Sequence, residues 1–253
     1  MGFFLAVRHD ESVGSRCCYH SQLRGRLLES AAGQGVGQCP QPEYFPVRID
    51  LRGNHAGAED AVIEIAEPPR FVGRGGLKLE GALDQFNLDV SGKVVGDIGA
   101  STGGFTDCLL KRRTSRVYAI DVGYGQLDYR LRQDPRVVVM ERVNARNPVL
   151  IPEKLDLAVI DVSFISVEKV IPPVAQLVKE GGYLVVLIKP QFEARREEVG
   201  KGGVIKDISI HSLVLARFIT WAIGRGFRIR GLISSPILGA TGNREFFVLL
   251  EVA

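Results

Sequence analysis

The sequence has no apolar run approaching the ~20 residues that a membrane-spanning helix needs; its longest hydrophobic stretches are strand-sized. Residues 1–7 are briefly apolar, but no basic leading segment, long apolar stretch or small-residue cleavage site accompanies them, so no secretory leader is expected and the chain reads as cytoplasmic. The four cysteines, Cys17, Cys18, Cys39 and Cys108, show neither C-x-x-C spacing nor a histidine cluster beside them, which argues against a zinc site; no metal is expected. A large excess of one sign of charge is also absent, with 32 Lys and Arg against 29 Asp and Glu. The net charge of +3 permits a nucleic-acid partner without establishing one. The dinucleotide fingerprint G-x-G-x-x-G is missing too, which disfavours an NAD-dependent oxidoreductase.

What is present is a globular composition. With 253 residues, 45% of them hydrophobic, the chain can bury the core of one α/β domain and carry a small appendage. Composition changes near residue 66. Residues 1–57 have adjacent cysteines, scattered glycines, Pro40 and Pro42, and no sustained periodicity, so they read as irregular. A short alternating strand is predicted over 61–65, and Pro68-Pro69 marks a linker. Beyond it, periodicity predicts a helix over 77–86 and strands over 94–98, 117–121, 137–140, 157–161 and 183–189. Further helices are predicted over 105–111 and over 167–178, the latter bent by Pro172 and Pro173. After a long loop over 191–206 comes a helix over 208–224, whose apolar side is supplied by Leu213, Leu215, Ala216, Phe218, Ile219 and Trp221. Two closing strands, 227–233 and 246–252, are joined closely enough to be antiparallel neighbours.

The segment Asp97-Ile98-Gly99-Ala100-Ser101-Thr102-Gly103-Gly104-Phe105-Thr106-Asp107-Cys108 is an apolar strand that ends in an acidic, glycine-rich turn and opens a helix. Such a turn lets the backbone approach a ligand closely, and its spacing favours one without a pyrophosphate. Asp121, Asp161 and Lys189 likewise close apolar runs. Together with Asp97, four strands end in a charge, and parallel sheets covered on both faces bind ligands outside the carboxyl ends of their strands. Cys108 reads as a buried structural thiol.

Several segments carry a resemblance. They are Arg70 to Leu79 (RFVGRGGLKL), the glycine loop, Tyr118 to Leu127 (YAIDVGYGQL), Asp161 to Ser166 (DVSFIS), Ile188 to Glu193 (IKPQFE), Val199 to Val204 (VGKGGV) and Gly242 to Phe246 (GNREF). In these, residues 67–253 resemble the methyltransferase domain of the TlyA family, often labelled hemolysins, among the FtsJ-like ribose 2'-O-methyltransferases. The resemblance implies a class I fold: a Rossmann-like, mostly parallel seven-stranded sheet with helices on both faces and a last antiparallel strand. It implies S-adenosyl-L-methionine as methyl donor and ribosomal RNA, at cytidine ribose, as acceptor. Family members also carry an amino-terminal S4 RNA-binding domain. Here residues 1–57 do not reproduce its pattern and only 58–69 resemble its end, so 1–66 is expected to be a degenerate S4-like or irregular segment.

The family's catalytic tetrad falls on Lys78, Asp161, Lys189 and Glu245. A ribose 2'-hydroxyl is a weak nucleophile that must lose its proton as it attacks. A lysine serves as base when neighbouring positive charge and desolvation favour its neutral form, and a second lysine supplies that charge. Lys189 is expected to be the base, Lys78 its electrostatic partner, and Asp161 and Glu245 the orienting groups. The donor is expected to lie on Asp97, Gly99, Ala100, Ser101, Gly103, Gly104 and Phe105, with Asp121 accepting from its ribose hydroxyls and Val122, Asn144, Ala145 and Asp161 completing the pocket. Candidates for RNA phosphate contacts are Arg70, Arg74, Arg195, Arg196, Lys201 and Arg244, with Lys206 beside them. Readings from other classes are a non-catalytic RNA-binding protein and a membrane-active hemolysin; the sequence shows neither a spanning segment nor a basic amphipathic helix for the latter.

Overall fold

The computed structural model describes residues 69–253, and Phe71–Ala253 form one compact unit. The irregular segment predicted over 1–57, the strand predicted over 61–65 and the S4-like reading lie outside the described residues. Within the unit, α1 (Gly75–Gln85) precedes β1 (Val94–Ile98), α2 (Gly104–Lys111), β2 (Arg116–Ile120), α3 (Tyr129–Gln133), β3 (Val137–Met140) and β4 (Leu155–Ile160). Then follow α4 (Ile171–Ala175), β5 (Val178–Ile188), α5 (Pro190–Glu193), α6 (Ile208–Gly224), β6 (Arg228–Ser234) and β7 (Phe246–Glu251).

The strands form one sheet in the order β3-β2-β1-β4-β5-β7-β6. The first five pair in parallel, and β7 runs antiparallel to both β5 and β6. Continuous apolar runs make this sheet because both of its faces are covered. Alternation along each strand divides the side chains between two cores. From β5, Leu184, Val186 and Ile188 join α4 and α6 on one face, while Val185 and Leu187 join α1 and α2 on the other. Each fully buried Leu, Ile or Phe in these layers contributes about 1.5–3 kcal/mol.

The elements differ from the sequence expectations in several places: α3 was not expected, and β5 begins at Val178 rather than at 183. The helix predicted over 167–178 is instead a 3-10 turn at Val167–Lys169, the short α4, and the start of β5. Pro172 and Pro173 occupy the first turn of α4 rather than bending a longer helix, since a proline lacks the N–H and clashes with a preceding turn. In α6 the fully buried stripe is His211, Val214, Phe218 and Ala222, one residue per turn, while Leu213 and Ala216 of the expected apolar side face outward. Leu215, Ile219 and Trp221 pack at its edge. The expected loop over 191–206 contains α5 and two 3-10 turns.

Candidate functional site

Register brings the strand-end charges together. Ile98 of β1 faces Ile120 of β2 and Ile160 of β4, so Asp121 and Asp161, each one residue further on, leave the sheet at the same level. Ile188 of β5 faces Phe246 of β7, which makes Lys189 and Glu245 the next facing positions beyond that pair. All lie at the carboxyl edge of the parallel strands.

The four tetrad positions form two ion pairs. Lys78, buried on the inner side of α1, holds Glu245 at 2.6 Å. Lysines on helices are mostly solvated, but α1 packs so closely against the sheet that Lys78 is only 8% exposed. Lys189 Nζ lies 2.6 Å from Asp161 Oδ1 and donates to the Ser163 hydroxyl at 2.7 Å. Facing positions on adjacent antiparallel strands lie about 4.5–5.5 Å apart at Cα, so the β5–β7 register sets the two pairs side by side.

The glycine loop is fixed by Asp121, whose carboxylate accepts from the backbone N–H of Ser101 at 2.8 Å and of Gly123 at 2.6 Å. Gly99 has φ 86°, and a Cβ there would lie 2.3 Å from the Asp161 carbonyl oxygen. Gly99→Ala is therefore expected to destabilise the fold by about 2–4 kcal/mol, through left-handed strain plus overlap with backbone; urea unfolding measures it.

Two cavities flank this loop and share Gly99, Ser101 and Asp161 in their walls. The larger, about 550 Å³, is also lined by Asp121, Val122, Asn144, Ala145 and Phe164. The smaller, about 160 Å³, is lined by Ala100, Gly104 and Phe105 and by Gly75 at the start of α1. Of the expected donor residues, Asp97 and Gly103 line neither. Gly103 stands where a side chain would strike Leu127 and Leu131, so it serves close packing at the start of α2. Asp97 is fully buried beneath the loop and accepts from the Thr106 hydroxyl at 2.6 Å. Its Oδ1 is buried without a protein partner. Burial, with the Asp161 and Asp121 carboxylates adding to it, pushes its pKa up to about 7. Three carboxylates thus crowd one end of the sheet, an arrangement suited to a cationic ligand. Another cavity, of about 450 Å³, lies between the ends of α1 and α2, where Arg112 is already paired with Asp84 at 2.6 Å.

The expected RNA contacts fall on the loops that border α1, α5 and β7. Arg74 donates to the Leu238 carbonyl at 2.8 Å, tying the start of α1 to the loop between β6 and β7. Arg70, Arg195, Arg196, Lys206 and Arg244 are exposed, and the side chain of Lys201 lies outside the described residues. Three features escaped sequence reasoning. Ser163 holds Lys189; Phe164, 90% exposed with φ 63°, lines the larger cavity with its ring tilted 48° to that of Phe192 at 5.0 Å. Fully buried Asn243 accepts from Ile205 N–H and donates to the Gly203 carbonyl, tying the preceding loop to the hairpin that carries Glu245. Ser163 and Phe164 lie in the segment DVSFIS and Asn243 in GNREF, both among those that carry the resemblance, but neither segment assigns them a role.

The profile of the FtsJ-like methyltransferases matches residues 71–252. YqxC of Bacillus subtilis, which carries the name of an rRNA methyltransferase, is 46% identical over 207 residues, covering 81% of this chain and 74% of YqxC. The 16S/23S rRNA (cytidine-2'-O)-methyltransferase TlyA of Mycobacterium tuberculosis is 44% identical over 183 residues, covering 72% of this chain and 68% of that protein. A crystal structure of a Lactococcus lactis protein under the hemolysin name is 46% identical, covers 73% of this chain and 90% of that one, and superposes with a TM-score of 0.71.

Proposed function

Because this chain belongs to the FtsJ-like methyltransferase family, we propose that it transfers a methyl group from S-adenosyl-L-methionine to the 2'-hydroxyl of a cytidine ribose in ribosomal RNA. The observation that carries this reading is the 550 Å³ cavity walled by Asp121 and Asp161, with Asp97 buried behind its loop and two ion-paired lysines at the same edge of the sheet. The names of the relatives point to the same substrate class.

The residues fit the donor. The larger cavity lies within the ~300–1,000 Å³ of small-molecule sites and combines apolar walls for a base with an acid at a strand end for ribose hydroxyls. The buried, unpartnered Asp97 Oδ1 and its two neighbouring carboxylates suit a ligand that carries an ammonium and a sulfonium. When bound, S-adenosylmethionine supplies an electrophilic methyl whose leaving group is a neutral thioether.

The chain's residues supply the rest. Lys189 Nζ takes the proton of the ribose 2'-hydroxyl as the new O–CH₃ bond forms, and Asp161 and Ser163 fix the direction of that nitrogen. Lys78, held by Glu245, places a second ammonium group next to the base. Holding the hydroxyl in line with the methyl supplies much of the acceleration. Exposed Arg195, Arg196 and Arg244 offer phosphate contacts, with residues 67–253 as the catalytic domain and 1–66 as a separate amino-terminal segment. Among the described residues, no helix is long and apolar enough to cross a membrane.

Asp121→Ala tests the donor site. It removes the proposed ribose acceptor and the two hydrogen bonds that hold Ser101 and Gly123. S-adenosylmethionine binding is expected to weaken by about 100-fold in calorimetry, equivalent to about 2.7 kcal/mol. Unchanged affinity would displace the donor from this cavity.

A further inference from the structure

Tyr124 stands on the loop that follows Asp121, is 69% exposed, and has the Arg142 guanidinium carbon 4.3 Å from its ring centroid. An exposed tyrosine is ordinary on a loop; one mounted this firmly is not. Arg142 has φ 58°, the left-handed region that a long side chain rarely adopts, and its backbone N–H donates to the Gly123 carbonyl at 3.0 Å. Gly125, on the other side of the tyrosine, donates its N–H to Glu141 at 2.8 Å, and Glu141 is in turn paired with Arg132. Both flanks of Tyr124 are thus tied to the segment that carries Arg142.

The donor cavity does not account for this arrangement. Val122, Gly123 and Gln126 of the same loop line that cavity, whereas Tyr124 is not among its walls. Arg146, which is in its wall, and Arg142 are both exposed, and neither pairs with a carboxylate among the described residues. The rim beside the donor site therefore presents an open aromatic ring backed by a guanidinium, with a second arginine nearby.

We propose that Tyr124 and Arg142 form a stacking platform for an unpaired nucleobase of the substrate RNA, adjacent to the nucleotide that enters the site. This rests on the RNA-methyltransferase reading above and assigns part of its substrate contact. A base stacks on the open tyrosine face, Arg142 backs the ring from the other side, and the arginine guanidinium groups donate to the flanking phosphates. Stacking of this kind tolerates any base, so the platform contributes affinity and strand placement rather than sequence choice.

The test uses the full chain with two readouts. One is quenching of a short single-stranded RNA containing 2-aminopurine; the other is methyl transfer to unmethylated ribosomal subunits and to protein-free rRNA. Tyr124→Ala is expected to abolish most of the quenching and raise KM for rRNA about tenfold. Tyr124→Trp should retain both, and Arg142→Ala should fall between. S-adenosylmethionine affinity and thermal midpoint should stay at wild-type values in all three. Wild-type quenching and KM in Tyr124→Ala, or no quenching by the wild type, overturn the platform. A defect confined to intact subunits and absent on protein-free rRNA also overturns it, because the partner is then a ribosomal protein. Tyrosine-dependent quenching by a wild type that methylates no RNA upholds the platform while removing the catalytic reading.

Discussion

Lys189→Ala is expected to reduce methyl transfer by at least about 1,000-fold, the range of a lost general base, while S-adenosylmethionine affinity changes by less than about threefold. The donor cavity walls do not include Lys189, whereas its nitrogen sits 2.6 Å from Asp161 and 2.7 Å from Ser163 at the carboxyl edge of the sheet. Lys189→Arg separates the two roles this lysine is given. Arginine keeps a cation for Asp161 but does not release its proton, so the variant should remain inactive despite an intact ion pair. Single-turnover transfer measures both. Activity restored by arginine would show that Lys189 acts only as a charge, and the base would have to be sought elsewhere.

Asp97→Asn is expected to stabilise the free protein at pH 8 and to cost donor affinity at the same time. An aspartate ordinarily titrates near 3.8, and burial in this site raises Asp97 to about 7. Between those values the folded chain holds a proton that the unfolded chain has released. This stabilising contribution is therefore complete below pH 3.8, declines as pH rises through the window, and is gone above pH 7. The decline corresponds to about 4 kcal/mol, from 1.36 kcal/mol per pH unit. An asparagine in its place carries no such loss, so the advantage of Asp97→Asn over wild type should grow from pH 4 to pH 7 and then level off in urea melts. A cationic donor reverses the preference, because it favours the carboxylate. Wild-type donor binding should thus tighten as pH rises through 7 and release a proton, while the variant binds at least about tenfold more weakly with no pH dependence across that range. A variant that matches wild type in both profiles would remove Asp97 from the donor site.

The parallel strands were legible from the sequence because a strand buried on both faces must be continuously apolar, and Val94–Ile98, Arg116–Ile120 and Leu155–Ile160 all fall within a residue or two of their predicted bounds. The strand-end acids were legible for the same reason: Asp121 and Asp161 interrupt runs that would otherwise stay apolar. What pattern alone could not supply was pairing at a distance. Lys78 and Glu245 are 167 residues apart, and only the register of β5 against β7 and the packing of α1 bring them to 2.6 Å. Their association came from family resemblance, with no spacing rule behind it. Pro172 and Pro173 misled in the other direction. Apolar spacing over 167–178 imitates a helix, yet two prolines fit only its first turn, and the chain passes into β5 at Val178. The hydrogen bond from the Arg74 guanidinium to the Leu238 carbonyl, 164 residues away, was beyond pattern for the same reason as the pairing of Lys78 with Glu245.

The measurement that bears most directly on the central claim is transfer of labelled methyl from S-adenosylmethionine to unmethylated 30S and 50S subunits by the full chain, with the product mapped to the nucleotide. The account predicts label on the ribose 2'-oxygen of a cytidine, seen as a bond resistant to alkaline cleavage, and its loss in Lys189→Ala. Label on a base, or transfer that survives in Lys189→Ala, would contradict it.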